Sequence, residues 1–246
     1  MIDHRHAAVI GGQRCGSTLL GRILGSHSDI VVAQPERPEP KFFLSSSDHA
    51  EYHRRHFDGD ASVYLEKSTT YIERPDAEVR MREIPGGVWP IVILRDPVDR
   101  ALSNWRFSTE NGLETLPAEE ALTERAGERP FPSDMSTSPY HYLKRSCYES
   151  LLAPWLEVRG RDGMSFVLYE ELIASPVDVL AKLHEDLGLR FEAPSALPHV
   201  NATEQTDEVG DDPLKRLRGV FRAEAEGVAD LVPAAAQLWP TLASKT

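Results

Sequence analysis

Residues 11–20, Gly-Gly-Gln-Arg-Cys-Gly-Ser-Thr-Leu-Leu, bring three glycines, an arginine and two hydroxyls into ten positions, a set suited to gripping an anion. Upstream, the apolar run Ala7-Ala8-Val9-Ile10 reads as a buried strand. Downstream, Leu19, Leu20, Ile23 and Leu24 recur at helical spacing, so the loop joins a strand to a helix start. Glycines let the backbone approach a ligand closely, and the free N–H groups and positive dipole end of a helix favour an anion there. A phosphate is the natural guest. A second junction has the same form: Ile91-Val92-Ile93-Leu94 is followed by Arg95-Asp96-Pro97, then Ser103. Pro97 fits the first turn of a helix. Arg95 then stands at the strand's carboxyl end and Ser103 about two turns into the helix, so that both can reach one anion at the sheet edge.

Spacing separates the readings of the first loop. Gly11 and Gly16 match a Walker A loop, but Ser17 stands where the lysine belongs. A cysteine phosphatase would need an arginine six residues after Cys15, where the chain has Gly21. Arg14-Cys15-Gly16-Ser17-Thr18 instead resembles the 5′-phosphosulfate loop of sulfotransferases that use 3′-phosphoadenylyl sulfate (PAPS). Arg95 and Ser103 resemble the 3′-phosphate site of the same family, so the resemblance implies PAPS as co-substrate and adenosine 3′,5′-bisphosphate (PAP) as product. It places Arg14, Cys15, Gly16, Ser17, Thr18, Leu19, Arg95 and Ser103 around the nucleotide. The alternatives are a P-loop small-molecule kinase using ATP and magnesium, and a non-catalytic nucleotide sensor.

Two further segments extend the likeness. Pro38-Glu39-Pro40-Lys41-Phe42-Phe43 and Glu66-Lys67-Ser68-Thr69-Thr70-Tyr71 resemble segments of the heparan-sulfate glucosaminyl sulfotransferases. By motif position Glu39 is implied as the catalytic base, with Glu36 a rival nearby. Pro38 replaces a lysine, Lys41 a histidine, and Cys15 a catalytic lysine, while Arg14 resembles the loop arginine of tyrosylprotein sulfotransferases. Lys41 and Lys67 are candidates for neutralising the sulfuryl oxygens, and the site calls for no metal. Glu39 could equally pair with Lys41, and Lys67 with Glu66. The segment from Ser146 to Leu156 resembles a family helix carrying a tyrosine near the nucleotide, here Tyr148; Trp155 and Tyr169 read as structural. His199-Val200-Asn201 resembles the lead into a loop over the nucleotide. The implied reaction is sulfuryl transfer to a hydroxyl, with an amine as second choice, on a small-molecule or carbohydrate acceptor.

The elements that must position these residues alternate. Strands are expected near 6–11, 30–33, 62–67, 88–95 and 165–169, with helices at 17–27, 47–57, 76–83, 97–110, 139–159, 175–187 and 213–231. Such alternation predicts an α/β fold, a P-loop-like sandwich with a central parallel sheet flanked by helices, in a single domain over 1–246. Residues 112–138, rich in Gly and Pro, break the pattern and are expected either to cover the acceptor or to form a disordered insertion. Cys15 and Cys147 alone give no disulfide framework and no metal-ligand cluster. A net charge of −12 argues against a nucleic-acid partner. Without a signal-like N-terminus or a run near the ~20 apolar residues needed to span a bilayer, a cytoplasmic protein without membrane insertion is expected. The cations Arg14, Lys41, Lys67, Arg95 and Arg100 are expected to converge locally.

Overall fold

A computed structural model describes residues 6–131, 133, 138–194 and 209–243. His199-Val200-Asn201 lies outside the described residues. In chain order the elements are β1 His6–Gly11, α1 Ser17–Leu24, β2 Ile30–Val32, α2 His49–His56, β3 Val63–Lys67, α3 Pro75–Glu83, β4 Val88–Leu94 and α4 Pro97–Glu110. There follow α5 Ala118–Ala121, α6 Glu124–Gly127, α7 Tyr148–Arg159, β5 Ser165–Leu168, α8 Tyr169–Ala174, α9 Pro176–Asp186, α10 Asp211–Leu231 and α11 Ala235–Leu238. The chain groups into two compact units, residues 1–94 with 154–200 and residues 95–153 with 201–246. The boundary falls within α7.

The first unit holds the whole sheet, five parallel strands in the order β2-β3-β1-β4-β5. Every residue of β1 and β4 is buried, which is why both read as unbroken apolar runs rather than as alternating ones. The chain moves to one side of β1 to lay down β2 and β3, then to the other for β4 and β5. That reversal makes the carboxyl end of β1 the place where this class of sheet receives ligands. The expected helix 17–27 stops at Leu24, and Gly25 after it lies against Val32, whose Cγ2 is 2.5 Å from where a Cβ would stand.

The second unit has its own core, in which Val98, Ala101, Leu102 and Trp105 of α4 pack with Leu217 and Phe221 of α10. The α4 helix begins where the sequence places it, with Pro97 in its first turn and the Asp96 carboxylate accepting from the N–H groups of Val98 and Asp99. The described part of 112–138 is packed into this unit rather than loose: Ala118, Ala121 and Leu122 join the core. The α-helix expected from 139 starts only at Tyr148; Lys144–Ser146 before it form a single 3-10 turn, in which the Ser146 hydroxyl accepts from Arg100 and donates to the Pro97 carbonyl.

One buried carboxylate ties the 112–138 segment down. Glu114, its side chain fully covered, accepts from the Arg129 guanidinium, the Tyr142 hydroxyl at 2.9 Å and the N–H groups of Thr115 and Leu116. Burial pushes its pKa up, but the bonds from Arg129, Leu116, Tyr142 and Thr115 outweigh it, and the carboxyl titrates below the usual range. A depressed folded pKa stabilises the fold above the unfolded value of about 4.3 and loses that contribution as pH falls through the folded value. Urea unfolding should therefore show wild type losing stability from pH 6 towards pH 3 more steeply than Glu114→Gln, with the variant about 1–3 kcal/mol weaker at neutral pH. Parallel pH profiles for the two proteins would contradict this role.

Candidate active site

The loop leaving β1 is shaped by two residues with left-handed backbones, Arg14 at φ 68° and Gly16 at φ 86°. The first turn of α1 follows Gly16 directly, with no side-chain cap and no acidic residue. By contrast, α2 and α4 are capped by Asp48 and Asp96. The start of α1 thus keeps its N–H groups for another acceptor. Gly16 is also a close approach: a Cβ there would lie 2.5 Å from the Tyr169 ring. Tyr169, expected at the end of β5, is the first residue of α8 and packs over the loop. Cys15 is buried within the loop, its thiol directed to the Gln13 carbonyl.

A carboxylate and an ammonium meet at the end of β3. The Lys67 Nζ donates to Glu39 Oε1 at 2.5 Å, and the side chains are only 12% and 18% exposed. Thr69 adds its N–H to Glu39 Oε2 at 3.0 Å and its hydroxyl at 3.1 Å. Glu39 is therefore paired with Lys67 rather than with Lys41, and Lys67 is not paired with Glu66. The stem of Lys67 runs past Gly21 of α1, where a Cβ would sit 3.7 Å from the Lys67 Cδ. A small cleft there is lined by Thr18 and Arg22 of α1 together with Glu36, Pro40 and Lys67.

Glu66, to which no motif assigns a role, holds the Glu39 segment in place. It is completely buried and accepts from Tyr52 at 2.7 Å, Ser68 at 2.6 Å and Tyr71 at 2.5 Å. Ser68 in turn accepts from the Lys41 N–H at 2.9 Å, and the Tyr71 hydroxyl from the Phe43 N–H at 3.0 Å. Burial pushes the Glu66 pKa up against these three hydroxyl donors, and burial beside Glu66 pushes both tyrosines up. Lys41 itself has a left-handed backbone, φ 52°, as it enters the turn Phe42–Leu44. The one signal of this in the sequence is a glutamate inside a strand otherwise opened by Val63, Tyr64 and Leu65.

In the second unit, Arg95 follows the last residue of β4 and its carbonyl accepts from the buried Tyr148 hydroxyl at 2.8 Å. Tyr148 lies beside Trp239, ring centroids 6.0 Å apart, so it fixes the backbone at Arg95. Ser103 is buried on α4. Asp96, adjacent to Arg95 in the chain, caps α4 and accepts from Thr241. Arg100 departs from the expectation that it joins the anion-facing cations. Its guanidinium is fully buried, donating to Ser146 at 2.6 Å, Asn104 at 3.1 Å and the Tyr142 carbonyl. It holds a core together.

Residues 90–211 match the family model of the sulfotransferase domain. The matched residues make up just under half of the chain. The match leaves the β1 loop, Glu39 and Lys67 outside it, but sequence likeness reaches further. The chain is 26% identical over 186 residues to mouse heparan sulfate glucosamine 3-O-sulfotransferase 3A1, covering 75% of this chain and 46% of that protein. It is 27% identical over 191 residues to the Caenorhabditis elegans bifunctional heparan sulfate N-deacetylase/N-sulfotransferase 1, covering 74% and 22%. The chain thus spans about half the length of the first of these relatives and less of the second. In fold it is similar to a sulfotransferase from Alicyclobacillus acidocaldarius, TM-score 0.72 at 24% identity over 93% of this chain and 95% of that one. A mouse sulfotransferase, SULT7A1 complexed with PAP, aligns with TM-score 0.52 at 13% identity over 97% and 88%.

The loop after β1 offers a donor set that suits an anion: an uncapped helix start, a neighbouring arginine and a glycine with no room for a side chain. Gly16→Ala should destabilise the fold by about 2–4 kcal/mol, through left-handed strain and overlap with Tyr169. Adding Tyr169→Ala should return the overlap share, so that the double variant costs less than the sum of the single changes in urea unfolding. Strict additivity would mean that the ring does not press on Gly16.

Proposed function

We propose that the chain transfers a sulfuryl group from PAPS to a hydroxyl of a small-molecule or carbohydrate acceptor, with an amine as the second choice. The observation that carries this reading is the Lys67–Glu39 pair at 2.5 Å, set at the carboxyl end of a parallel sheet in the same unit as the uncapped start of α1. The acceptor oxygen attacks sulfur in line, forming a new S–O bond as the bond from sulfur to the bridging oxygen of the 5′-phosphate breaks. PAP leaves with the electron pair of that bond. The acceptor proton passes to Glu39, held for it by Thr69 and Lys67.

Lys67 has a second task in this scheme. Once Glu39 takes the proton, its carboxyl is neutral and the ammonium is released to face the charge growing on the sulfuryl and bridging oxygens. Arg14 and the N–H groups from Gly16 to Thr18 supply the remaining fixed positive field, the kind of preorganised electrostatics that contributes most to such steps. Lys41 is a further candidate for the sulfuryl oxygens. The sequence resemblance assigns the 3′-phosphate to Arg95 and Ser103. The described residues contain no helix long and apolar enough to cross a membrane.

Glu39→Gln keeps size and polarity but removes the proton acceptor, so kcat should fall by about 10²–10⁴ while PAP affinity measured by calorimetry is kept. Glu36→Gln, in the cleft but outside the Lys67–Thr69 cradle, should change kcat far less. Near-normal kcat in Glu39→Gln would remove it from the role of base. Wild type should bind PAP at least about tenfold more tightly than 5′-AMP, a margin that shrinks in Arg95→Ala because charge-assisted bonds to the extra phosphate are lost. Equal affinities for the two nucleotides would sink that assignment. Turnover should be the same with and without added magnesium, whereas a kinase needs the ion to bridge its phosphates.

A further inference from the structure

At the end of the sheet away from the β1 loop, three histidines converge. His6 opens β1, and His49 and His53 lie one turn apart on α2; one ring nitrogen from each falls within 4.8 Å of the other two. The His6 and His53 Nε2 atoms are 2.6 Å apart, and the His6–His49 and His49–His53 ring centroids are separated by 5.3 and 4.7 Å. His6 is buried and the other two half-buried, so the cluster opens to solvent on the α2 side. The two cysteines suggest no metal-ligand cluster in the sequence. The histidines are brought together by the fold, which sets His6 beside a helix 43 positions further along the chain.

We propose that His6, His49 and His53 form a binding site for a divalent transition-metal ion of the zinc type, stapling α2 to the central strand. Two histidines at i and i+4 on one helical face are a bidentate grip for zinc, and a third from a separate element gives the three-nitrogen set that leaves one position for water. Imidazole nitrogen is the ligand that zinc, copper and nickel share, so the same cluster would take any of them, with zinc the natural tetrahedral guest. Without an ion, one of the two close nitrogens must donate a proton to the other. With zinc at about 2.0–2.1 Å from each nitrogen, tetrahedral geometry sets them about 3.3 Å apart, so the close pair would widen from 2.6 Å and separations of up to 4.8 Å would close around the ion.

One side of the cluster is walled by an aromatic ring. The Tyr64 ring stacks on His6 at 5.5 Å and stands edge-on to His53 at 4.4 Å, forming an apolar wall. β1 separates the cluster from the anion loop by its full six residues, about 16 Å of strand. The site therefore takes no direct part in the transfer chemistry proposed above. Its consequence lies in α2, because Tyr52, the residue before His53, donates to Glu66.

The test uses the full chain after removal of metal with a chelator. Calorimetric titration with Zn²⁺ should show one saturable equivalent, and Co²⁺ in its place should give the intense visible bands of a four-coordinate ion. His49→Gln and His53→Gln each remove one ligand at a half-buried position, and each should weaken Zn²⁺ binding at least about 100-fold, beyond the 10–100-fold that changes to outer-shell partners produce. His27→Gln, which touches a different pair of elements, should bind as wild type does. Zn²⁺ should raise the thermal midpoint of wild type and leave that of His49→Gln unchanged. Absence of a saturable equivalent in wild type, a six-coordinate cobalt spectrum, or equal uptake by wild type and His49→Gln would each overturn the proposal.

Discussion

A carboxylate buried among three hydroxyls is the constraint on which the proposed chemistry depends. Taking Glu66 out of water is costly, and the cost is offset only while Tyr52, Ser68 and Tyr71 all donate to it. Two of those hydroxyls also receive backbone N–H groups from Lys41 and Phe43. The carboxylate thus fixes the chain just after Pro40 without touching it. Glu39 is two residues before the first anchored N–H, so its freedom is already small when Lys67 and Thr69 close on it. Loss of any one hydroxyl would leave part of a buried charge unpaired as well as loosening the segment, a penalty larger than that of the hydrogen bond alone.

The loop after β1, proposed to hold the phosphosulfate, is built on the opposite logic, leaving backbone N–H groups rather than side chains at the start of α1. A cap such as Asp48 or Asp96 stabilises a helix by consuming its first N–H groups, and α1 forgoes this. Its helix start is held instead by packing: Leu19, Leu20, Ile23 and Leu24 are buried, and Tyr169 lies against Gly16 from the far side. Stability is therefore drawn from the apolar face of α1 so that its polar end stays available to a ligand. The same trade explains why the loop tolerates a left-handed arginine close to a left-handed glycine. Strain of this kind persists where the surrounding structure over-determines it.

How much of this is legible in the sequence depends on whether the signal is local. The parallel sheet is, because β1 and β4 are unbroken apolar runs followed at once by glycine or by Arg-Asp-Pro, both strong markers of a strand-to-helix junction. The start of α4 at Pro97 follows from the same marker. The α-helix expected from 139 to 159 forms only from Tyr148, and no local pattern announces the bond that Ser146 makes with Arg100, 46 residues earlier. Arg100 itself sits in a motif of charges that reads as facing an anion, whereas the carbonyl, amide and hydroxyl groups of a core claim it. Glu66 is hidden by its position next to Lys67: adjacent residues on a strand point to opposite faces, so the lysine reaches the site and the glutamate the interior.

Long-range pairing also decides what α2 can do. His49, Tyr52, His53 and His56 lie on one stripe of that helix, at spacings of three, one and three, so a single face meets both the start of β1 and the buried carboxylate on β3. The helix is otherwise poor in apolar residues, its buried side chains being Tyr52 and His56. An eight-residue helix with so small an apolar face cannot be held by hydrophobic burial alone, and helices this short are unstable in isolation. Polar bonds must therefore fix it: Tyr52 to Glu66, His56 to the Gln34 carbonyl at 2.9 Å, and the histidine cluster to β1. Since His56 reaches the start of the segment that carries Glu36 and Glu39, while Tyr52 reaches the carboxylate anchoring its end, the placement of α2 sets both ends of the chain that presents the proposed base.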